Sequence, residues 1–161
     1  MNIERDENGG FVFSDMEPPI AEMFLTIPSA VDPEGNAAAQ ARLFPDPAAG
    51  NEPKISQEWA EYVVPELREG FENAATTVEA DLGSLIADGG LTIPLDHVDA
   101  WLNALNQARL VLAARFEVTE EDMNNQEPLD LQNERAMAIS QIHVFGLLQE
   151  CLIQGLGEGL A

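Results

Sequence analysis

From residue 56 to residue 87 the apolar side chains Trp59, Val63, Leu67, Phe71, Ala74, Val78, Leu82 and Leu85 return at steps of three and four. That interval places successive side chains on one face of an α-helix. A stripe of this length must be buried, and a lone helix has nothing to bury it against. Glu58, Glu61, Glu69, Glu72 and Glu79 fall on the other side, so the segment reads as one wall of a bundle with a solvated outer face. Ser56 can cap its start, and Asp88-Gly89-Gly90 ends it. Pro65 lies inside the run and removes a backbone hydrogen bond, which predicts a kink or a split.

Two further segments repeat the pattern. Over 95–116, Val98, Trp101, Leu102, Leu105, Leu112 and Phe116 cluster on one side, while Asp96, Asp99, Asn103, Asn106 and Gln107 take the other. Over 131–156, Ala138, Ile142, Phe145, Leu152 and Leu156 point inward. A shorter amphipathic helix is expected over 15–27, capped by Ser14 or Asp15, with prolines in its first turn and Pro28 as its stop. None of these stripes can be hidden alone. The fold class is therefore mainly α: a compact helical bundle of three long helices plus one or two short ones.

Between these segments the chain is punctuated by turn formers. Asn8-Gly9-Gly10 separates two short stretches suited to strands, which adds a small N-terminal β-hairpin. Residues 29–53 are rich in Pro, Gly, Asn and Ala and read as an irregular connection, with one helical segment, NAAAQARLF, in the middle. Thr119 followed by Asp122 has the form of a cap opening a short helical turn, and NNQEPLD reads as a loop. Gly155, Gly157 and Gly159 predict a flexible tail over 155–161.

Composition narrows the partners. With 161 residues and 45% hydrophobic content, 1–161 is expected to form a single helical domain. Aspartate and glutamate number 29 against 7 lysines and arginines, a formal charge of −22 that disfavours nucleic acid and anionic membranes. Repulsion among these carboxylates also predicts stability that rises with salt. A single cysteine, Cys151, excludes an intrachain disulfide and suits a reducing cytoplasm. The N-terminus lacks a basic and apolar leader pattern, and no stretch approaches the roughly 18 uninterrupted apolar residues of a spanning helix. The expectation is a cytoplasmic protein that neither is secreted by that route nor enters the membrane.

Catalytic and metal signatures are missing from the sequence. Neither His97 nor His143 follows a glutamate by three residues, as a di-iron bundle requires. His97 with Asp96 and Asp99 reads as a solvated first-turn cluster. Cys151 and His143 are eight residues apart on one helix, about 12 Å, too far for a nucleophile and its base. No metal and no cofactor is expected. What remains is three polar residues inside apolar stripes: Arg109, Asp81 and Gln149. Each alone is costly to bury, so the expectation is a clasp in which Arg109 pairs with Asp81 or Glu150 and Gln149 completes its hydrogen bonds. Removing Arg109 would then strand a carboxylate at a cost of about 3–5 kcal/mol.

The string AWLNALNQARLVLAARFEVTEED, residues 100–122, resembles the most characteristic block of a bacterial, mainly actinobacterial, domain-of-unknown-function family numbered 2017. ARLFPDP around Arg42, the long acidic helix, the LTI lead into the tryptophan helix and LLQECLIQGL near the C-terminus agree in the same order. The resemblance implies a mainly helical bacterial cytoplasmic protein and no defined activity. Members are often encoded beside an adaptor of the Clp protease, which points to protein handling. This chain has Ala113, Ala114 and Glu117 where the family commonly has small or glycine residues, which puts any ligand role of a glycine there in doubt.

Two functions are consistent with these residues. The first is a non-enzymatic interaction module that docks a protein partner or a second copy through an exposed apolar patch including Leu110. The second is a small-molecule binding protein or enzyme in which a pocket around Arg109 holds an anion.

Overall fold

The computed structural model describes residues 1–125, 130 and 132–158. β1 (Asn2–Arg5) and β2 (Phe11–Ser14) form an antiparallel hairpin in which Arg5 lies opposite Phe11. Asp6 ties its turn: the amide donates to the Gly10 carbonyl at 3.0 Å, and the carboxylate accepts from the Asn8 and Gly10 amides. Gly9 has φ +84°, and a Cβ on Gly10 would stand 2.8 Å from the Ile93 carbonyl oxygen. Glycine is needed at both positions.

A third strand, unforeseen in LTIP, completes the sheet. β3 (Leu91–Ile93) pairs antiparallel with β2, Phe11 opposite Ile93 and Phe13 opposite Leu91, giving the order β1-β2-β3. Alternation turns Phe11, Phe13, Leu91 and Ile93 inward and leaves Thr92 exposed.

Helices make up the rest, and the fold is mainly α. α1 (Pro18–Leu25) starts later than expected and has no side-chain cap; Asp15 instead holds a φ of 52° and accepts from Asn2. The Thr26 hydroxyl donates to the Met23 carbonyl, and the chain restarts as α2 (Ile27–Ala30). α3 (Ala37–Leu43), capped by Asn36, is the helical segment expected inside 29–53. The long helix divides where Pro65 forbids a regular bond. α4 (Pro53–Glu58) runs into a wide turn, Trp59–Val63, whose bond from the Val64 amide to the Trp59 carbonyl spans five residues, and α5 (Val64–Asp88) follows. Gly89 ends it at φ 72°.

α6 (Val98–Arg115) follows one turn of 3₁₀ helix at Leu95–His97. Its C-terminus closes with Val118 bonded to the Ala113 carbonyl, Glu117 bonded to Ala114, and Glu117 at φ 49°. This is the left-handed cap that glycine favours, so a glycine at 117 would serve the helix end. α7 (Glu120–Asn124) opens with the capping box of Thr119 and Asp122. Most of NNQEPLD, residues 126–129, lies outside the described residues, as does Leu131.

α8 (Glu134–Glu158) is the last helix. Of the tail placed at 155–161, residues 155–158 belong to α8, and 159–161 lie outside the described residues. Gly155 is a contact: a Cβ there would overlap the Phe11 ring. The Arg5 guanidinium stacks over the same ring at 4.5 Å and donates to the Gly155 and Gly9 carbonyls.

α6 packs against α2, α3, α5 and α8, and is the central element. Trp101, Ala104, Leu105 and Ala108 are completely buried, together with Phe13, Val78, Phe145 and Leu152 from the surrounding elements. Each large side chain of this set contributes about 1.5–3 kcal/mol.

Candidate functional site

The residues singled out in the sequence divide into a closed corner and an open one. Asp81, on α5, does not meet Arg109. Its carboxylate accepts the Trp101 indole N–H at 2.8 Å and the His97 Nδ1–H at 3.0 Å. The reason is level along the helix axis. Periodicity puts Asp81 on the face turned to α6, but the short connection through β3 brings it beside the first turns of α6. Arg109 lies eight residues beyond Trp101, about 12 Å farther along. His97 therefore takes its acceptor from across the helix pair, and Asp81 links α5 to α6.

Arg109 faces α8. Its Nη1 donates to Gln149 Oε1 at 2.7 Å, and Gln149 Nε2 donates to the Leu102 carbonyl at 3.2 Å. The amide expected within reach is the partner found. Glu150 is exposed and accepts from Gln154. The ion pairs among the described residues are His97–Asp81 and Arg135–Asp122, so Arg109 belongs to none. Its Nε is buried without a partner among the described residues, and the residue lines a cleft of about 460 Å³ with Leu110, Val118, Met123 and Ile142.

Gln107 is the residue the sequence misplaced. Its position on the polar arc of α6 predicts solvent, yet it is 3% exposed and neither carboxamide atom has a partner among the described residues. The arc is polar, but α2, α3 and α5 crowd the helix on that side. Gln107 borders a cavity of about 380 Å³ walled by Val31, Leu43, Phe44, Phe71 and Arg68. Phe44 and Phe71 stack at a tilt with centroids 5.6 Å apart, and Arg68 lies 4.7 Å above the Phe44 ring. Arg115 fixes the far wall by donating to the Asp32 and Glu34 carbonyls at 2.9 and 3.2 Å.

Leu110 is half-buried, packed against the small cluster of Ala39, Leu43 and Val111 and bordering the Arg109 cleft. Exposed apolar surface gathers elsewhere. Met1, Ile3, Ile20, Val144, Leu147 and Cys151 border a shallow groove between β1, α1 and α8. His143 is exposed on α8.

At the other end of α8, Arg135 donates to Asp122 at 2.6 Å and to the Phe116 and Glu117 carbonyls at 3.1 and 3.3 Å. This cation bonds the last carbonyls of α6 and holds the α7 cap. Bonds from Arg135, then from the Thr119 amide and hydroxyl, pull the Asp122 carboxyl down to about 2. Asp46 is also lowered, first by the Ser56 hydroxyl and then by the Ala48 amide. Asp122 is a helix-cap acceptor, whereas Asp46 closes its own turn by accepting from the Ala48 and Gly50 amides.

A family model described as a domain of unknown function (DUF2017) matches residues 11–156. No curated protein and no solved structure matches the chain.

Proposed function

The chain belongs to the DUF2017 family, and from that premise we propose that it works by binding, as a non-enzymatic acidic helical interaction module of the cytoplasm. The docking surface is the groove between β1, α1 and α8, and the occupant is a cationic amphipathic segment of another protein. One observation carries this reading: α8 is more apolar than its burial explains. Leu147 and Ile153 are exposed on its outer face, and Val144 and Cys151 are only half-buried. Leu147 stands 62% exposed beside Met1 at 50% and Ile3 at 37%. Apolar surface gathered in one groove favours a partner. A charge of −22 selects a basic one and opposes both a second copy and an anionic lipid surface.

The test is titration with a designed Leu/Lys amphipathic peptide, followed by NMR at each backbone amide. Shifts are expected at Ile3, Val144, Leu147 and Cys151, and Leu147→Glu, at an exposed position, should weaken binding about tenfold or more. A Ser/Lys peptide of equal charge should produce no localised shifts. Shifts spread over the acidic surface for both peptides, or tighter binding to anionic vesicles than to the peptide, would overturn the proposal.

A second reading rests on Arg109. A guanidinium held by Gln149 and lacking a carboxylate suits a small anion seated in the cleft beside Met123 and Ile142. Acetate titration would show saturable shifts at the Arg109 side chain and at the backbone amides of Leu110, Val118 and Met123 in the cleft wall, and the amide shifts should be abolished in Arg109→Met.

A further inference from the structure

Leaving one buried polar atom unbonded costs on the order of 1–3 kcal/mol, and native structures rarely tolerate it. Gln107 carries two such atoms, the Oε1 acceptor and the Nε2 donor, side by side on one buried carboxamide. Neighbours have not folded over an accident at the surface: the residue lies in the middle of the central helix, behind a cavity of about 380 Å³. That volume falls within the range of small-molecule pockets.

We propose that this cavity is a binding site for a neutral or cationic planar aromatic compound whose edge carries a hydrogen-bond donor beside an acceptor, as in an amide or a lactam. Each element of the class follows from a wall. The carboxamide presents an acceptor and a donor about one bond angle apart, and its complement is a group with the reverse pair. For a ligand to pair with this edge, the Gln107 side chain, which borders the cavity, must turn toward it. Phe44 and Phe71 offer tilted ring faces, and Leu43 and Val31 extend the apolar wall, which suits a flat ring system. Charge settles the sign. Asp32, Glu34, Glu72 and Glu79 line the cavity together with one cation, Arg68, whose guanidinium is already stacked on Phe44, and Arg115 lies behind the wall bonded to the Asp32 and Glu34 carbonyls. An anionic ring would meet net repulsion. The site shares no lining residue with the apolar groove or with the Arg109 cleft, so it stands whether or not those readings do.

Isocarbostyril, a bicyclic lactam, is the probe, and its N-methyl derivative is the control that keeps ring and carbonyl but lacks the donor. In titrations of the whole protein, the lactam is expected to shift the Gln107 side-chain amide resonances and to bind at least about tenfold more tightly than the N-methyl compound. Gln107→Leu, close in volume and without polar atoms, should weaken the lactam by a similar factor and leave the weak binding of the control unchanged. Should that variant fail to fold, Thr76→Tyr serves in its place: Thr76 is exposed on the cavity wall, and a tyrosine there should block the lactam without touching Gln107. Equal affinity for the two compounds, unchanged lactam affinity in the variants, or no lactam binding up to its solubility would each overturn the proposal. So would a long-lived water bonded to Gln107 that the lactam does not displace.

Discussion

The two halves of α6 bury polar side chains against their neighbours with opposite outcomes. In the first half, the indole of Trp101 and the imidazole of His97 both end on Asp81, and no described donor there is left over. In the second half, Gln107 has two unbonded atoms, and Arg109 has a buried Nε without a partner. Trp101 and Gln107 are both buried, so an unmet polar group on either carries a comparable penalty. The first half is completed by the fold itself. The second retains bonding capacity that only something from outside can use, and it is bordered by the Gln107 cavity and the Arg109 cleft.

The sharpest way to test this contrast is to make the first half resemble the second. Asp81→Ala strands the fully buried Trp101 donor, and unfolding in urea should show a loss of about 2–3 kcal/mol. Adding Trp101→Phe removes the stranded donor, so the double variant should lose less than the sum of the single changes. Strict additivity would show that the two residues are not a pair.

Gln107→Leu runs in the other direction. It exchanges two unmet polar atoms for apolar ones of similar volume, and a gain of about 1–2 kcal/mol in urea is expected. A loss of more than about 1 kcal/mol would mean that the carboxamide is bonded in the folded protein, and the contrast would fail.

Arg109→Met is a milder probe of the same half. The clasp expected in the sequence puts its cost at about 3–5 kcal/mol, because a carboxylate would be stranded. With Gln149 as its partner in place of an acid, the expected loss is about 1 kcal/mol. Recovery of the larger figure would show that an acidic group closes on Arg109 in solution.

The smallest effect belongs to a corner as closed as that of Asp81. Asp122 is held at about 2, below its ordinary 3.8. A depressed carboxyl contributes stability that is present above 3.8 and is lost as pH falls toward 2. Because Asp122 is solvated, only the α7 cap should loosen, seen as faster amide exchange at Asp122 as the pH is lowered through that window. Exchange that merely follows the intrinsic pH dependence would show that the carboxylate charge does not hold the cap.

These outcomes also mark what a one-dimensional pattern can carry. Helical periodicity assigns a residue to a face, and Val78, Leu82, Trp101, Leu105, Ile142 and Phe145 are buried on the faces it picks out. Level along the axis is another matter, which is why Asp81 meets Trp101 eight residues short of Arg109. Periodicity is also silent on how many neighbours surround a helix. Gln107 looks solvated when α6 is taken to have one covered side, and it is buried because the helix is covered on several. β3 is too short for alternation to register: three residues between Gly90 and Pro94 become a strand only because β2 offers an edge. A signal for the Asp81 corner was available in Trp101, since a buried indole needs an acceptor and Asp81 was the acid on the facing stripe.

The contact of Gly155 with Phe11 is sealed by Arg5, whose bond to the Gly155 carbonyl joins parts of the chain 150 residues apart. Closing a loop of that length costs about 4 kcal/mol of chain entropy. Synthesis delivers the hairpin long before its cover. While the chain is being made, Phe11 waits without the surface that will cover it, and it is fully buried only when the part of α8 around Gly155 arrives. Quality control that samples nascent chains would find in this ring a marker of incompleteness, erased once Gly155 has emerged.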